Sequence, residues 1–264
     1  MRRPAATLAV AALLVAAGCS GGGDTTTTPE YDTDAEPIYE TPLDAETVTD
    51  AHLDALRDHG TFTIDQNTTW EDSGGRELRT GLVRANLDSG AVYGHWKFRD
   101  DTRQTYQFAD GTGYNRLVND GELHYSRGGA RTNATGYAKG GLLVVEVFTF
   151  DYAGTTVVDG DRVHVYQASG PDEVDTSAFP SVRQLDSATV DHAEATVHVR
   201  EDGAFRRVAY TVAFENSDQL DAVSTTWRFE KLGDTDVSPP GWVSVARNRT
   251  DQSPASQRAS NSGQ

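Results

Sequence analysis

The sequence predicts a mainly β (α+β) domain, in which one short helix precedes about nine to eleven antiparallel strands. Apolar and polar residues alternate with a period of two from Thr61 to Phe229, which indicates strands with one buried and one wet face. Turn motifs separate these stretches as in consecutive hairpins, and they include Asp72-Ser73-Gly74-Gly75, Asp88-Ser89-Gly90, Asp110-Gly111, Asn119-Asp120-Gly121, Asp159-Gly160 and Glu201-Asp202-Gly203.

Residues 1–18 have the composition of an export signal. Arg2 and Arg3 precede a run of small apolar residues that is too short to cross a bilayer as a helix of about 20 residues. The run ends in Val-Ala-Ala-Gly before Cys19, the only cysteine of the chain. This ending resembles the lipobox of prokaryotic lipoproteins, and the resemblance implies that Cys19 carries a lipid and becomes the mature N-terminus.

The alternative roles for Cys19 are a buried free thiol or half of an intermolecular disulfide. Ser20 and three glycines follow it and offer no core in which a thiol could be buried. We therefore expect an exported protein that is anchored to the outer face of the cell membrane. Export through the general secretory or the twin-arginine route stays open, because Arg2-Arg3 lacks the bulky apolar residues that usually follow a twin-arginine pair.

The net charge of the chain is strongly negative. It is −17, and removal of Arg2 and Arg3 with the signal brings it to −19. Such a surface repels phosphates and anionic headgroups, which excludes nucleic acid as a partner. Lysine occurs only at positions 97, 139 and 231. This acidic, lysine-poor composition resembles that of proteins from extreme halophiles, in which molar salt screens the self-repulsion.

The chain is predicted to divide into four parts. Residues 1–18 form the signal peptide, and residues 19–42 a flexible acidic linker rich in Gly, Thr and Pro. Residues 43–243 form the folded domain, expected to be monomeric. Residues 244–264 form a polar, disordered tail.

One amphipathic helix is predicted at about residues 46–59. Val48, His52 and Leu56 lie on its apolar face, and His59-Gly60 ends it. Residues 47–50 resemble a capping box. A lone histidine on such a face is more often packed than a ligand, and we expect this of His52.

Residues 139–150 interrupt the strand pattern. They are apolar on both parities and rich in β-branched side chains. A fully buried strand and a core helix both fit this pattern, so the sequence leaves the two open.

No catalytic or cofactor-binding motif is present. The chain lacks H-E-x-x-H, a cysteine pair, a phosphate-binding glycine loop and a calcium-loop spacing. His192 and His198 share strand parity, but they lie in an acid-rich, wet region and we predict no metal site there. We expect no catalytic residue, cofactor or metal.

Three sequons in an exported chain are candidate N-glycosylation sites. They are Asn67, Asn133 and Asn248.

The order of these elements resembles the lipoprotein-carrier superfamily of LolA, LolB, LppX and LprG, and more closely haloarchaeal lipoproteins of unknown role related to it. The resemblance covers about residues 43–243. Its features are the helix leading into Gly60-Thr61-Phe62, the segment 140–150 before Asp159-Gly160, and the ending Ser238-Pro239-Pro240-Gly241-Trp242. It implies a curved antiparallel half-barrel with one or two helices on the concave face, one of them from residues 140–150. The concavity of those relatives holds acyl chains or lipidated proteins, and no catalytic residue carries over.

An aromatic excess on one side of the predicted sheet points to an apolar ligand. Filling a curved sheet requires more apolar side chains than the predicted helices supply. The candidate ligand face comprises Trp96, Phe98, Tyr106, Phe108, Tyr210, Phe214, Trp227 and Phe229. A binding module for a lipid or other apolar ligand is thus one function class. The alternative is an envelope structural or protein-interaction lipoprotein with a closed core, and unfilled apolar surface discriminates between them.

Overall fold

The computed structural model describes residues 31–178, 189–215, 217 and 220–251, all within one compact unit that begins at Tyr31. Its helices are α1 (Ala45–His59), α2 (Ala134–Ala138), α3 (Leu143–Val147) and α4 (Trp242–Asp251), with a 3-10 turn at Pro171–Glu173. Its strands are β1 (Thr61–Asp72), β2 (Gly75–Asn86), β3 (Val92–Phe98), β4 (Asp101–Gln107), β5 (Gly113–Asn119), β6 (Glu122–Arg127), β7 (Asp151–Val158), β8 (Asp161–Ser169), β9 (Thr189–Arg200), β10 (Phe205–Glu215) and β11 (Ala222–Glu230).

The eleven strands form one open antiparallel sheet in the order β6-β5-β4-β3-β2-β1-β11-β10-β9-β8-β7. Two meanders meet in the centre, where β1 pairs with β11. The sheet is a curved half-barrel, so the predicted fold class is confirmed. Helices α1 and α2 pack on its concave face against β1 and β2, and α3 contacts α1.

Helix α1 starts one residue before the predicted helix and ends where expected. Its N-cap is Asp44, whose Oδ1 accepts a hydrogen bond from the Thr47 amide at 2.8 Å. The predicted box at residues 47–50 is therefore already helical. Gly60 ends the helix with φ = 74°, a conformation that favours glycine.

The ambiguous segment 139–150 contains a short helix, and Phe148 after it forms an isolated β-bridge with Val174. Helix α3 lies within it, and α2 ends immediately before it. Gly141 takes φ = 79°, and a Cβ there would lie 3.3 Å from the ring of Trp227. Both the odd- and the even-numbered residues of the segment are apolar, because most of its side chains are enclosed between the sheet and α1.

Residues 31–42 are part of the fold, which corrects the prediction of a flexible linker for this stretch. Tyr31 contacts the convex face, since the Gln167 amide donates to its hydroxyl at 3.1 Å. Asp32 forms a β-bridge with Thr155 on edge strand β7. The Tyr39 amide then donates to the hydroxyl of Tyr166 on the concave face at 2.9 Å. We call residues 31–43, which cross the edge of β7, the N-terminal strap.

The predicted disordered tail is also corrected. Residues 242–251 form α4, which packs on the convex face against β5 and β6. Its buried residues Val243 and Ala246 contact Tyr106 and Tyr114. Sequence reasoning missed this helix because it has only two buried positions on an otherwise polar surface. Residues 252–264 lie outside the described chain, as do residues 1–30, including the signal and Cys19. None of the described helices is long and apolar enough to span a membrane.

The concave aromatic face as candidate ligand site

Six of the eight predicted aromatic residues lie on the concave face. The strand registers place them on one side of the sheet, and they are Trp96 and Phe98 of β3, Tyr210 and Phe214 of β10, and Trp227 and Phe229 of β11. Helices α1 to α3 cover the same side.

Tyr106 and Phe108 do not share that side, which corrects their assignment to the ligand face. Tyr106 pairs with Tyr93 on the convex face, and both predicted residues belong to the cluster beneath α4. A two-residue turn pairs Phe98 with Asp101, so it is the odd-numbered residues of β4 that point to the concave side. The alternation of apolar and polar residues could not show which side Tyr106 and Phe108 occupy, because it does not give the pairing register between strands.

Burial along the concave face is graded. At the end of the sheet that carries α1, the side chains of Phe62, Val92 and Phe229 are all 0% exposed. Towards the opposite end of β1 and β3, Trp70, Trp96 and Phe98 are only half-buried. Over β1–β3, the helices therefore cover the end of the concave face that carries α1. At the opposite end, aromatic surface stays accessible.

Two short helices contact the aromatic residues in the middle of the face. Tyr137 of α2 stacks on Trp96 with ring centroids 6.2 Å apart. Phe148 lies 6.1 Å from Tyr210, whose ring is 5.9 Å from that of Trp227. Tyr210, Trp227 and Trp96 nevertheless stay half-buried.

Sequence reasoning missed Trp70 and Arg79, which lie at the open end of the face. The guanidinium of Arg79 lies 5.2 Å from the centre of the Trp70 ring, and Phe98 meets that ring edge-on at 6.4 Å. The signal was available, because Trp70 continues the even parity of Phe62 and Ile64 along β1.

Buried ionisable groups on the concave face have shifted pKa values. Burial raises the pKa of Tyr137 and of Tyr210. Burial, with a smaller contribution from the charge of Arg131, lowers the pKa of Arg79. The Tyr137 hydroxyl oxygen is buried.

His52 is a core residue, as expected from its lone position on the apolar face. Its Nδ1 accepts from the Phe205 amide and its Nε2 donates to the Ala138 carbonyl, each at 3.0 Å. The ring stacks on Phe205 at 4.7 Å. Burial lowers its pKa to about 4, so the imidazole is neutral at pH 7.

The remaining predicted positions do not converge on a site. His192 lies 3.1 Å from Glu194. His198 is buried, and burial together with the charges of Arg207 and Arg206 lowers the pKa of His198 to about 4. Within the described ranges, no cluster of three His, Cys, Asp or Glu residues could hold a metal. An open groove of about 500 Å³ lies at the ends of β2 and β3 and is lined by Gly74, Gly75, Arg76, Glu77, Leu78, Thr80, Lys97 and Arg99. None of the concave aromatic residues lines it.

The three sequon asparagines are exposed. Asn67 lies in the middle of β1, and Asn248 lies on α4. Asn133 is the N-cap of α2, where its Oδ1 accepts from the Gly136 amide at 2.8 Å. Their glycosylation stays a prediction.

A sequence family covers nearly the whole chain, since its match runs over residues 4–246. The chain belongs to DUF7537, a family of unknown function. A comparison with curated protein sequences found no match.

Solved structures similar to this DUF7537 member include lipoproteins of the group predicted from sequence. The lipoprotein LppX of Mycobacterium tuberculosis has 14% identity and a TM-score of 0.33 over 74% of this chain and 98% of its own. LprF of Mycobacterium bovis has 13% identity and a TM-score of 0.42 over 76% and 99%. An outer membrane lipoprotein-sorting domain from Vibrio parahaemolyticus has 9% identity and a TM-score of 0.26 over 75% and 96%. These structures include LppX, which the predicted resemblance also names, while a haloarchaeal source stays a prediction from composition.

Proposed function

We propose that this protein is an exported lipoprotein, anchored to the outer face of the membrane through Cys19, whose concave face binds a lipid or other apolar ligand without chemistry. The observation that carries the proposal is the graded burial of that face. Phe62 and Phe229 are fully enclosed, whereas Trp70, Trp96 and Phe98 keep accessible surface in a curved sheet.

Accessible aromatic surface in a concavity favours an apolar ligand. Each methylene that moves from water onto such a surface contributes about 0.8 kcal/mol. Specificity would be loose, because apolar walls discriminate by length and width and offer few hydrogen bonds.

The second candidate is an envelope interaction protein that carries no ligand. The contacts of α2 and α3 with Trp96 and Tyr210 favour it, because they already cover part of the face. The two candidates differ in whether the accessible aromatic surface is occupied in the native membrane.

The test is extraction of the native protein. The full chain is purified from its own membrane in high salt, and an organic extract is analysed by mass spectrometry. We expect a stoichiometric lipid that is lost in Trp96→Asp and in Phe98→Asp. The matched control is Leu78→Asp on the convex face of β2, where the side chain is 53% exposed. Folded wild-type protein that yields no lipid and takes up none would favour the interaction protein.

A further inference from the structure

Three arginines of the concave side form no ion pair with another described residue. Arg79 and Arg103 project from β2 and β4 towards the face that holds Trp96. Arg131 lies in the segment before α2, next to Ala130, which packs against the core of that face. None of the ion pairs between described residues involves any of the three.

What distinguishes these arginines is their location, since nine of the sixteen described arginines form no ion pair. Arg79 and Arg103 lie on the side of the sheet that holds the accessible aromatic residues. Of the neighbouring acids on that side, Glu77 is paired with Arg99.

Arg79 and Arg103 lie beside the aromatic residues of β3, since Arg79 is the cross-strand partner of Phe98 and Arg103 that of Trp96. The charge of Arg131 lowers the pKa of Arg79, and both Arg131 and Arg103 act on the pKa of Tyr137. Arg79 is half-buried over the Trp70 ring, whereas Arg131 is exposed. A partly desolvated guanidinium group such as that of Arg79 binds an anion more strongly than an exposed one does, because water and salt screen it less.

We infer that the ligand is an anionic amphiphile whose acidic group lies between Arg79 and Arg131, with Arg103 nearby, and whose apolar part lies against Trp70, Trp96 and Phe98. This local group of cations departs from the repulsion of anionic headgroups that the net charge predicts for the surface as a whole. The inference rests on the proposed function and adds the charge and orientation of the ligand. A phosphate, sulfate or carboxylate group would satisfy this site, since each offers oxygens to the planar guanidinium fork.

The experiment compares three probes on the full chain at one fixed molar salt concentration. Dodecyl phosphate below its micellar concentration, dodecanol and inorganic phosphate are titrated while tryptophan fluorescence is recorded. We expect dodecyl phosphate to bind at least about tenfold more tightly than dodecanol, because one charge-assisted hydrogen bond corresponds to about that factor. Inorganic phosphate alone should bind weakly.

Variants assign the effect to the arginines. Arg79→Gln and Arg131→Gln, singly and together, should weaken dodecyl phosphate binding, by about tenfold in the double variant, and leave dodecanol unchanged. Arg84→Gln is the matched control: Arg84 lies on the convex face of the same strand, over the Tyr93 ring at 5.7 Å. Arg131 is exposed in a loop, so its single variant keeps the test valid if the Arg79 variants fail to fold.

The outcomes separate the inference from the proposed function. Equal binding of dodecyl phosphate and dodecanol, or an equal loss in the Arg84 control, would overturn the inference and leave an apolar site. Binding of inorganic phosphate as tight as that of dodecyl phosphate would identify a free-anion site and overturn both. Binding of none of the probes would also overturn both.

Discussion

At the scale of single residues, His52 joins three elements through its ring. One nitrogen binds β10 and the other binds the last residue of α2, while the ring stacks between aromatic side chains. Because Nδ1 can accept from the Phe205 amide only in the neutral imidazole, protonation breaks this hydrogen bond and places a charge in the core. His52 thus couples the packing of the concave helices to pH.

This coupling predicts acid-sensitive stability. Burial lowers the folded-state pKa of His52 from 6.5 to about 4, so the unfolded chain binds the proton more readily between these values. The contribution to stability is complete above pH 6.5 and is lost as the pH falls towards 4, by about 1.4 kcal/mol per pH unit. Urea unfolding at fixed high salt should show this slope, with a parallel contribution from His198.

His52→Gln keeps one donor and one acceptor but does not titrate in this range. We expect it to reduce the slope by about 1 kcal/mol per pH unit, whereas the control His124→Gln, at a side chain that is 58% exposed, should leave it unchanged. An identical slope in His52→Gln and wild type would show that His52 is protonated without unfolding.

At the scale of elements, α4 acts as a cover for the convex face. Ala246 is 0% exposed and packs against Tyr106 and Tyr114, while the neighbouring Val245 is 40% exposed. The guanidinium of Arg247 lies 5.4 Å from the ring centre of Phe108. These contacts hold a helix that has few apolar residues of its own.

A charge at position 246 should release this helix. Burying a carboxylate without a partner costs several kcal/mol, so Ala246→Asp is expected to detach α4, lower stability by about 2–4 kcal/mol and red-shift the fluorescence of Trp242. Val245→Asp on the exposed side should change neither quantity. Equal destabilisation by the two variants would contradict the packing of α4 described above.

The sequence allowed the secondary structure to be predicted, but not the contacts between distant parts of the chain. Local sequence signals predicted the strands, their turns and α1. Alternation with a period of two indicates a strand within a few residues, and Gly60 marks the end of the helix. The N-terminal strap was not predictable, because its Pro, Thr and acidic residues are typical of a flexible linker. Its contacts are with strands more than 120 residues away, such as that of Tyr39 with Tyr166. Within the candidate site, six aromatic residues were predicted and Trp70 could have been, from its parity along β1, but Arg79 required the pairing of β1 with β2.

At the scale of the whole molecule, the net charge of −17 predicts that folding depends on screening. The Debye length rises from about 3 Å at 1 M salt to about 10 Å at 0.1 M, so repulsion between carboxylates extends over several residues at low salt. We expect the sheet signal in circular dichroism to be lost on dialysis from molar to low salt.

A variant with less negative charge should need less salt. Glu36, Glu40, Asp50 and Asp58 are exposed and form no ion pair with another described residue. Their replacement by the corresponding amides should shift the unfolding midpoint to lower salt. A wild-type spectrum and melting temperature that do not change with salt would refute the charge argument.

The location of the molecule can be tested at one residue. If Cys19 is the lipidated N-terminus, Cys19→Ser should release the protein to the medium or leave an uncleaved precursor. Fractionation and immunoblotting of detergent-free membranes measure this, with Ser20→Ala as control. Mature Cys19→Ser protein that stays fully membrane-bound would show that the anchor lies elsewhere.

If Cys19 carries the anchor, the N-terminal strap also sets how far the domain can lie from the membrane. Tyr31 is already fixed on the convex face, so only twelve residue steps connect it to Cys19. Fully extended, they reach at most about 40 Å, roughly half the span available if the chain were free up to residue 43. A domain tethered through Cys19 would therefore work close to the membrane surface, and only a partner or lipid within that distance could reach its concave face.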